Sequence, residues 1–211
     1  MKIKWLGHAC FSLTTTDGTV ILTDPFDASV GYPVPKCAAD IVTESHQHHD
    51  HNDVSSLASV GQVLDSACDV TIGSVHISTL STFHDEAEGA KRGSNLIFII
   101  EADGLKIVHL GDLGHMPTDE QIAAMRGADI MMVPVGGFYT IDANTAEALR
   151  RATSPKVAIP MHFLTPVLSF PIADEKPFLA LNGGQYLGKN EIEIAPETVN
   201  SLPSVLVLEY K

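Results

Sequence analysis

The chain has 211 residues, 45% hydrophobic and 18% charged, a balance that fits a soluble globular protein long enough to bury a real core in one domain spanning 1–211. Lys and Arg total 13 against 26 Asp and Glu, a net charge of −13, and the basic residues are scattered, which argues against nucleic acid or any other polyanion as partner. No apolar run approaches the ~18 residues needed to cross a bilayer, and the short apolar stretch near the start gives way at once to polar residues, so a cytoplasmic protein without membrane contact is expected.

Short apolar runs rich in β-branched residues predict strands at 2–6, 11–15, 20–23, 41–43, 70–72, 75–81, 95–102, 106–109, 130–135, 157–160 and 204–209. Asp17-Gly18 and Asp103-Gly104 fall between neighbouring strands and signal hairpins. Helices are fewer. Asp53 opens a short one over 53–59 that ends before Gly61. Thr118-Asp119-Glu120-Gln121 is a capping box, and Gly127 closes that helix. A third runs over 144–153, and a fourth is expected over 173–181. Paired strands followed by strands alternating with helices predict an α+β protein, two sheets packed face to face with helices outside, an αββα four-layer sandwich.

The three cysteines, Cys10, Cys37 and Cys68, are odd in number and widely spaced, so reduced and mostly buried thiols are expected. The histidines carry more information. His46, His48, His49 and His51 fall within six residues, in the segment His46-Gln47-His48-His49-Asp50-His51. This segment joins the strand at 41–43 to the element that begins at Asp53. In extended chain His46 and His48 point the same way, and Asp50 and His51 follow as the chain turns toward a second point. Neutral imidazole is the commonest protein ligand for zinc, and carboxylate supplements it. One loop can therefore supply two ligands to each of two ions. His84, Asp112 and His162 each follow a separate apolar strand, the placement expected of a site at one rim of a sandwich.

These segments resemble the metallo-β-lactamase superfamily. The resemblance implies that one metal takes His46, His48 and His84, that a second takes Asp50, His51 and His162, and that Asp112 bridges them. All seven positions carry the expected residue types in the expected order, over residues 5–162. Leu6-Gly7-His8-Ala9-Cys10-Phe11, Leu22-Thr23-Asp24-Pro25-Phe26, His109-Leu110-Gly111-Asp112-Leu113-Gly114 and Pro160-Met161-His162-Phe163 further resemble a small bacterial and archaeal branch related to L-ascorbate-6-phosphate lactonase. The resemblance carries no reading beyond Phe163.

The resemblance implies a hydrolase whose two divalent ions activate a water against an ester, lactone or phosphodiester of a small molecule. Zinc is the default for so nitrogen-rich a set, and manganese, iron or nickel fit the same ligands. Asp50 is expected to orient the nucleophile while ligating. His8 is expected near the metals, holding substrate, with a purely structural histidine as the alternative. Asp24 reads as the acceptor of a ligand histidine's second N–H. His49 is expected to point away, and His109 to be structural. The loop 136–142 could line the pocket through Tyr139 or Asp142, although Asp142 also reads as a helix cap. Lys91-Arg92-Gly93 could meet an anionic group, although a solvated turn is the plainer reading. A flavodiiron oxidoreductase would carry glutamate where His48 stands, a tRNA nuclease would want a basic arm, and a glyoxalase-type thioesterase would share the ligands. Outside catalysis, a metal-binding or sensing protein of the same fold is the alternative. A homo-oligomer is compatible with all of these.

Overall fold

The computed structural model describes residues 1–210. In chain order the strands are β1 (Lys2–Gly7), β2 (Cys10–Thr14), β3 (Val20–Thr23), β4 (Ala38–Thr43), β5 (Ser59–Leu64), β6 (Asp69–Ile72), β7 (Val75–Phe83), β8 (Ser94–Ala102) and β9 (Leu105–His109). Helix α1 (Asp119–Met125), strand β10 (Ile130–Pro134), helix α2 (Ala143–Thr153), strand β11 (Val157–Met161) and helix α3 (Lys176–Asn182) follow. The short strands β12 (Gln185–Tyr186), β13 (Glu191–Glu193) and β14 (Leu206–Val207) end the chain. No helix of the described residues is long and apolar enough to cross a membrane.

Two six-stranded sheets result, ordered β13-β1-β2-β3-β4-β5 and β11-β10-β9-β8-β7-β6. The hairpin signals hold. Asp17-Gly18 lies in the turn that pairs Thr14 with Val20, and Asp103-Gly104 is a two-residue turn between Ala102 and Leu105. Both Asp103 and Gly104 have positive φ, as a turn matching strand twist requires. Edge pairing of β1 with β13 sets Lys2 opposite Glu193 and Lys4 opposite Glu191.

Consecutive residues of the first sheet feed different cores. Phe11, Ile21 and Ile41 point between the sheets, while their neighbours Cys10, Leu22 and Val42 point outward to Phe26, Tyr32, Leu168 and Ile172. The outer layer on that side is therefore loop chain with a single 3-10 turn at Ala28–Val30. The helices gather on the other side, where α2 packs on α1, α3 and β10. Strands β10 and β11 are buried throughout, as expected of parallel strands covered on both faces. The architecture is the expected α+β sandwich.

The helix expected over 53–59 does not form. Asp53 accepts the N–H of Ser55 and Leu57 N–H reaches Val54 O, so the segment closes as turns. Residues 59–64 then form edge strand β5 parallel to β4. The helix expected from 173 begins at Lys176, and of 204–209 only Leu206–Val207 is paired as a strand. Of the cysteines, Cys10 is buried while Cys37 and Cys68 are half-buried, and all three are free.

Pairing directions matter most for function. In the first sheet β1, β3 and β4 run the same way, and in the second so do β7, β9, β10 and β11. Their carboxyl ends carry His8, Asp24, residues 44–51, His84, residues 110–112, the loop after Pro134, and His162. All meet at one rim, where open α/β sheets place ligands.

Trp5 anchors this rim from below. It is 1% exposed, stacks with Phe11 and Phe163 at centroid distances of 6.5 and 5.2 Å, and donates its indole N–H to His8 O at 3.0 Å. Trp5→Ala should cost ~3–5 kcal/mol of stability, the range for a buried aromatic truncated to Ala. Urea denaturation followed by circular dichroism measures it, and a loss under about 1 kcal/mol would contradict this packing account.

Candidate metal centre

The loop after β4 is fastened before any side chain ligates. Glu44 N–H bonds Leu64 O, and Ser45 N–H and Oγ–H donate to Asp24 Oδ1 and Oδ2 at 2.8 and 2.6 Å. Asp24 Oδ2 also lies 2.8 Å from His51 Nδ1, the partner role read from its position before Pro25. That bond leaves His51 Nε2 facing inward. His46 Nδ1 lies 3.0 Å from Ser45 Oγ, which frees its Nε2 likewise.

Opposite, Asp112 is held by its backbone N–H on Asn95 Oδ1 at 2.9 Å, and Asn95 Nδ2 bonds both Thr82 Oγ1 and Leu110 O. This buried amide on β8 ties the ends of β7 and β9 together. Gly111 is in the left-handed region at φ 56°, and a Cβ there would collide with Asn95 and Ser45. His162, at φ 50°, donates its N–H to His8 O, and its own carbonyl accepts from Gly136 N.

The predicted ligands converge. Nitrogens of His46, His48 and His84 lie within 4.8 Å of one another, as do ligand atoms of His46, His51 and Asp112. A third group joins Asp50, His51 and His162 with His8. Asp112 Oδ2 stands 3.4 Å from His51 Nε2 and 3.2 Å from both His84 Nε2 and His162 Nε2. His8 Nε2 is 3.2 Å from Asp50 Oδ2, so the residue read as holding substrate also touches a candidate ligand.

The electrostatics suit cations. Burial lowers His8 to about 4, helped by His162, and burial lowers His46 to about 3. Burial also lowers His84. These imidazoles stay neutral, the form that ligates. His51 differs: burial opposes its charging, but Asp112 and Asp50 outweigh burial and hold it well above the ordinary histidine value. Burial likewise opposes ionisation of Asp112, yet His162 and His51 keep it well below the usual carboxylate range.

The donor set fits divalent cations on one further observation. His8 Nδ1, His46 Nε2, His51 Nε2, His84 Nδ1, His162 Nδ1 and Asp112 Oδ1 are buried without a hydrogen-bond partner. Such orphans are rare in folded proteins, and here six belong to one cluster of nitrogen and carboxylate donors.

The Beta-lactamase superfamily domain model matches residues 2–162, ending on the last candidate ligand. The chain belongs to the β-lactamase superfamily. A Thermoplasma acidophilum protein named as a UPF0173 metal-dependent hydrolase is 33% identical, with 92% of this chain and 96% of that one covered. A Thermotoga maritima crystal structure, described as a candidate zinc-dependent hydrolase of the metallo-β-lactamase superfamily, is 37% identical with a TM-score of 0.82, covering 98% and 97% of the two chains. The short form of human tRNase Z, 13% identical with a TM-score of 0.57 over 77% of this chain and 92% of that one, shares the fold alone.

His49, expected to point away, borders the concavity beside the cluster. It is exposed and enters none of the three ligand groups, and His109 reaches Ala9 O at 2.8 Å as a structural residue. Asp142 caps α2 by accepting from Thr145 N, whereas Tyr139 lines the concavity beside the cluster. Phe170, which no sequence signal marks, meets the edge of the His8 ring at 5.6 Å. A larger concavity of about 580 Å³ is lined by Met1, Lys2, Thr14–Thr16, Glu193–Ala195 and Thr198, and none of the candidate ligands borders it.

The metal-free protein should weaken as pH falls from 6.5 toward about 4. The unfolded chain takes up protons near 6.5 while folded His8 and His46 resist, so stability present above 6.5 is lost on the way down. His51, raised when folded, contributes fully below 6.5 and does not offset this fall. The loss should be on the order of a few kcal/mol. Urea midpoints of chelator-stripped protein across that window test it, and a flat profile would rule the account out.

Proposed function

We propose that this chain, a metal-dependent hydrolase of the β-lactamase superfamily, holds two divalent cations, zinc by default, and cleaves an ester, lactone or phosphodiester bond in a small molecule. The observation that carries the reading is Asp112: one buried carboxylate oxygen faces imidazoles from three separate segments. On this reading His46, His48 and His84 hold one cation, Asp50, His51 and His162 hold the other, and Asp112 lies between. The zinc-dependent description of the Thermotoga maritima protein supports the choice of metal.

Bound there, two cations would polarise the substrate oxygen and lower the pKa of a water toward ~7. The chain's own residues do the positioning. Asp24 accepts from His51 and from Ser45, which keeps the imidazole turned and raises its basicity as a ligand. Asp50, held ionised against burial by His51 and His8, orients the attacking water. His8, neutral and fully buried, donates from Nε2 to Asp50 Oδ2 and so fixes that carboxylate. Phe170 and Tyr139 give the concavity its apolar lining. Lactones stand among the substrates on the Gly7-His8 and Asp24-Pro25-Phe26 elements. We place the enzyme in the cytoplasm as a single domain.

His48→Ala should lower turnover of bis-p-nitrophenyl phosphate and of a lactone panel by more than the ~10–100-fold typical of groups behind the ligands, and should lower metal content. Metal analysis and steady-state assays on the same samples check both. Near wild-type activity and metal in this variant would sink the ligand assignment. Two bound metals with no turnover across the panel would favour a sensing role.

A further inference from the structure

Beside the ligand cluster lies a concavity of about 350 Å³ bordered by His48, Asp50, His84 and Asp112. His49, His162, two aromatic rings, Tyr139 and Phe170, and one guanidinium, Arg92, also line it. Arg92 also borders the next hollow, beside His46 and Ser66, so it stands on the ridge between the two.

Its position is built, not incidental. Asp85 follows His84 and is 1% exposed. Its Oδ1 accepts the N–H groups of Ala87 and Gly89, and its Oδ2 those of Lys91 and Arg92, at 2.7–3.0 Å. Those bonds fold the chain after His84 into a closed loop that returns at Arg92. The guanidinium then lies 5.5 Å from the Tyr139 ring centroid and donates from Nη2 to Phe138 O at 3.1 Å. Phe138 itself is held at φ 62°, in the left-handed region that a bulky side chain seldom adopts. The side chain is thus gripped by a ring and a carbonyl on the facing loop.

What the guanidinium lacks is a counter-charge. Lys91 pairs with Glu86 at the surface, whereas Arg92 has no carboxylate partner among the described residues. Five N–H donors in a planar fork suit a carboxylate or a phosphate, and the bond to Phe138 uses one. In a chain of net charge −13, a fixed, half-buried and unpaired cation stands out against its surroundings.

We propose that Arg92 determines substrate specificity by binding an oxyanion, carboxylate or phosphate, that the substrate carries away from the bond to be cleaved, with Tyr139 and Phe170 flanking the apolar part between. The identity of the cleaved bond rests on the hydrolase reading above, whereas the anion contact itself stands on the Arg92 geometry.

Calorimetric titration tests it on the metal-assayed wild type, Arg92→Ala and Arg92→Lys. The probes are monomethyl glutarate, phenyl phosphate and the neutral dimethyl glutarate. Arg92→Ala should weaken at least one anion by ~10-fold or more, the size of a lost charge-assisted bond, and leave the neutral diester unchanged. Arg92→Lys should fall between, since it keeps the charge and loses the fork. Loss confined to monomethyl glutarate assigns a carboxylate, and loss confined to phenyl phosphate assigns a phosphate. Equal anion affinity in wild type and Arg92→Ala, or no binding of either anion at millimolar concentration, overturns the proposal. Metal lost from Arg92→Ala overturns it too, because the residue would then be structural. Wild type that binds anions through Arg92 yet holds no metal would instead remove the hydrolase reading and leave the anion site standing.

Discussion

The Asp112 carboxylate is 2% exposed, and one of its oxygens faces the Nε2 atoms of three imidazoles, those of His51, His84 and His162. A carboxylate so far from water stays ionised only if other groups balance it. Here the balance comes from both sheets. His51 rises from the loop after β4 in the first sheet, while His84, His162 and Asp112 itself belong to the second. Separating the sheets at this rim would strand a buried charge, so the electrostatic centre of the site is also the clasp of the sandwich.

Around that centre several of the candidate ligands are held by neighbours. Asp24 orients His51 and fixes Ser45, Asn95 holds the turn that delivers Asp112, and His8 meets both Asp50 and the backbone of His162. Strained backbone gathers in the same place: His8, Asp24, Phe138 and His162 all carry positive φ. Conformations of this kind persist where surrounding structure over-determines them, and they concentrate at functional sites. The site is thereby shaped by the protein alone, with candidate ligand atoms already within 4.8 Å of one another in three groups.

Much of this was readable in the residues. The spacing of His46, His48, Asp50 and His51, and the single His or Asp after each of three apolar strands, marks chemistry that local rules recognise. The two Asp-Gly hairpins were equally plain, because turn geometry leaves few residue choices. Other parts left no such trace. Strand β5 is exposed from Ser59 to Val63, so it lacks the alternation that betrays a strand, and the Asp53 cap that mimicked a helix start closes a turn instead. Asn95 reads as an ordinary polar residue at a strand start, since its partners Thr82, Leu110 and Asp112 are brought near by pairing alone. For Arg92 the sequence allows an anion contact or a solvated turn, and what separates them, the loop folded by Asp85 and the ring on the loop after β10, comes only with the fold. Contacts made by tertiary closure are the ones a sequence pattern does not carry.

The pairing of β1 with β13 has a consequence for the growing or refolding chain. The partner of the first strand stands near residue 192, so during synthesis the outer edge of β1 has no partner until the chain has grown that far. An open edge invites the wrong neighbour, and Lys on edge strands discourages it. Lys2 and Lys4 project from β1 at alternate positions, and the strand that finally docks carries Glu191 and Glu193 opposite them, with Lys2 Nζ 3.0 Å from Glu191. A slip of one residue would set Ile192 against a lysine and turn its side chain to the other face. The same two charges thus repel strangers early and select both partner and register late.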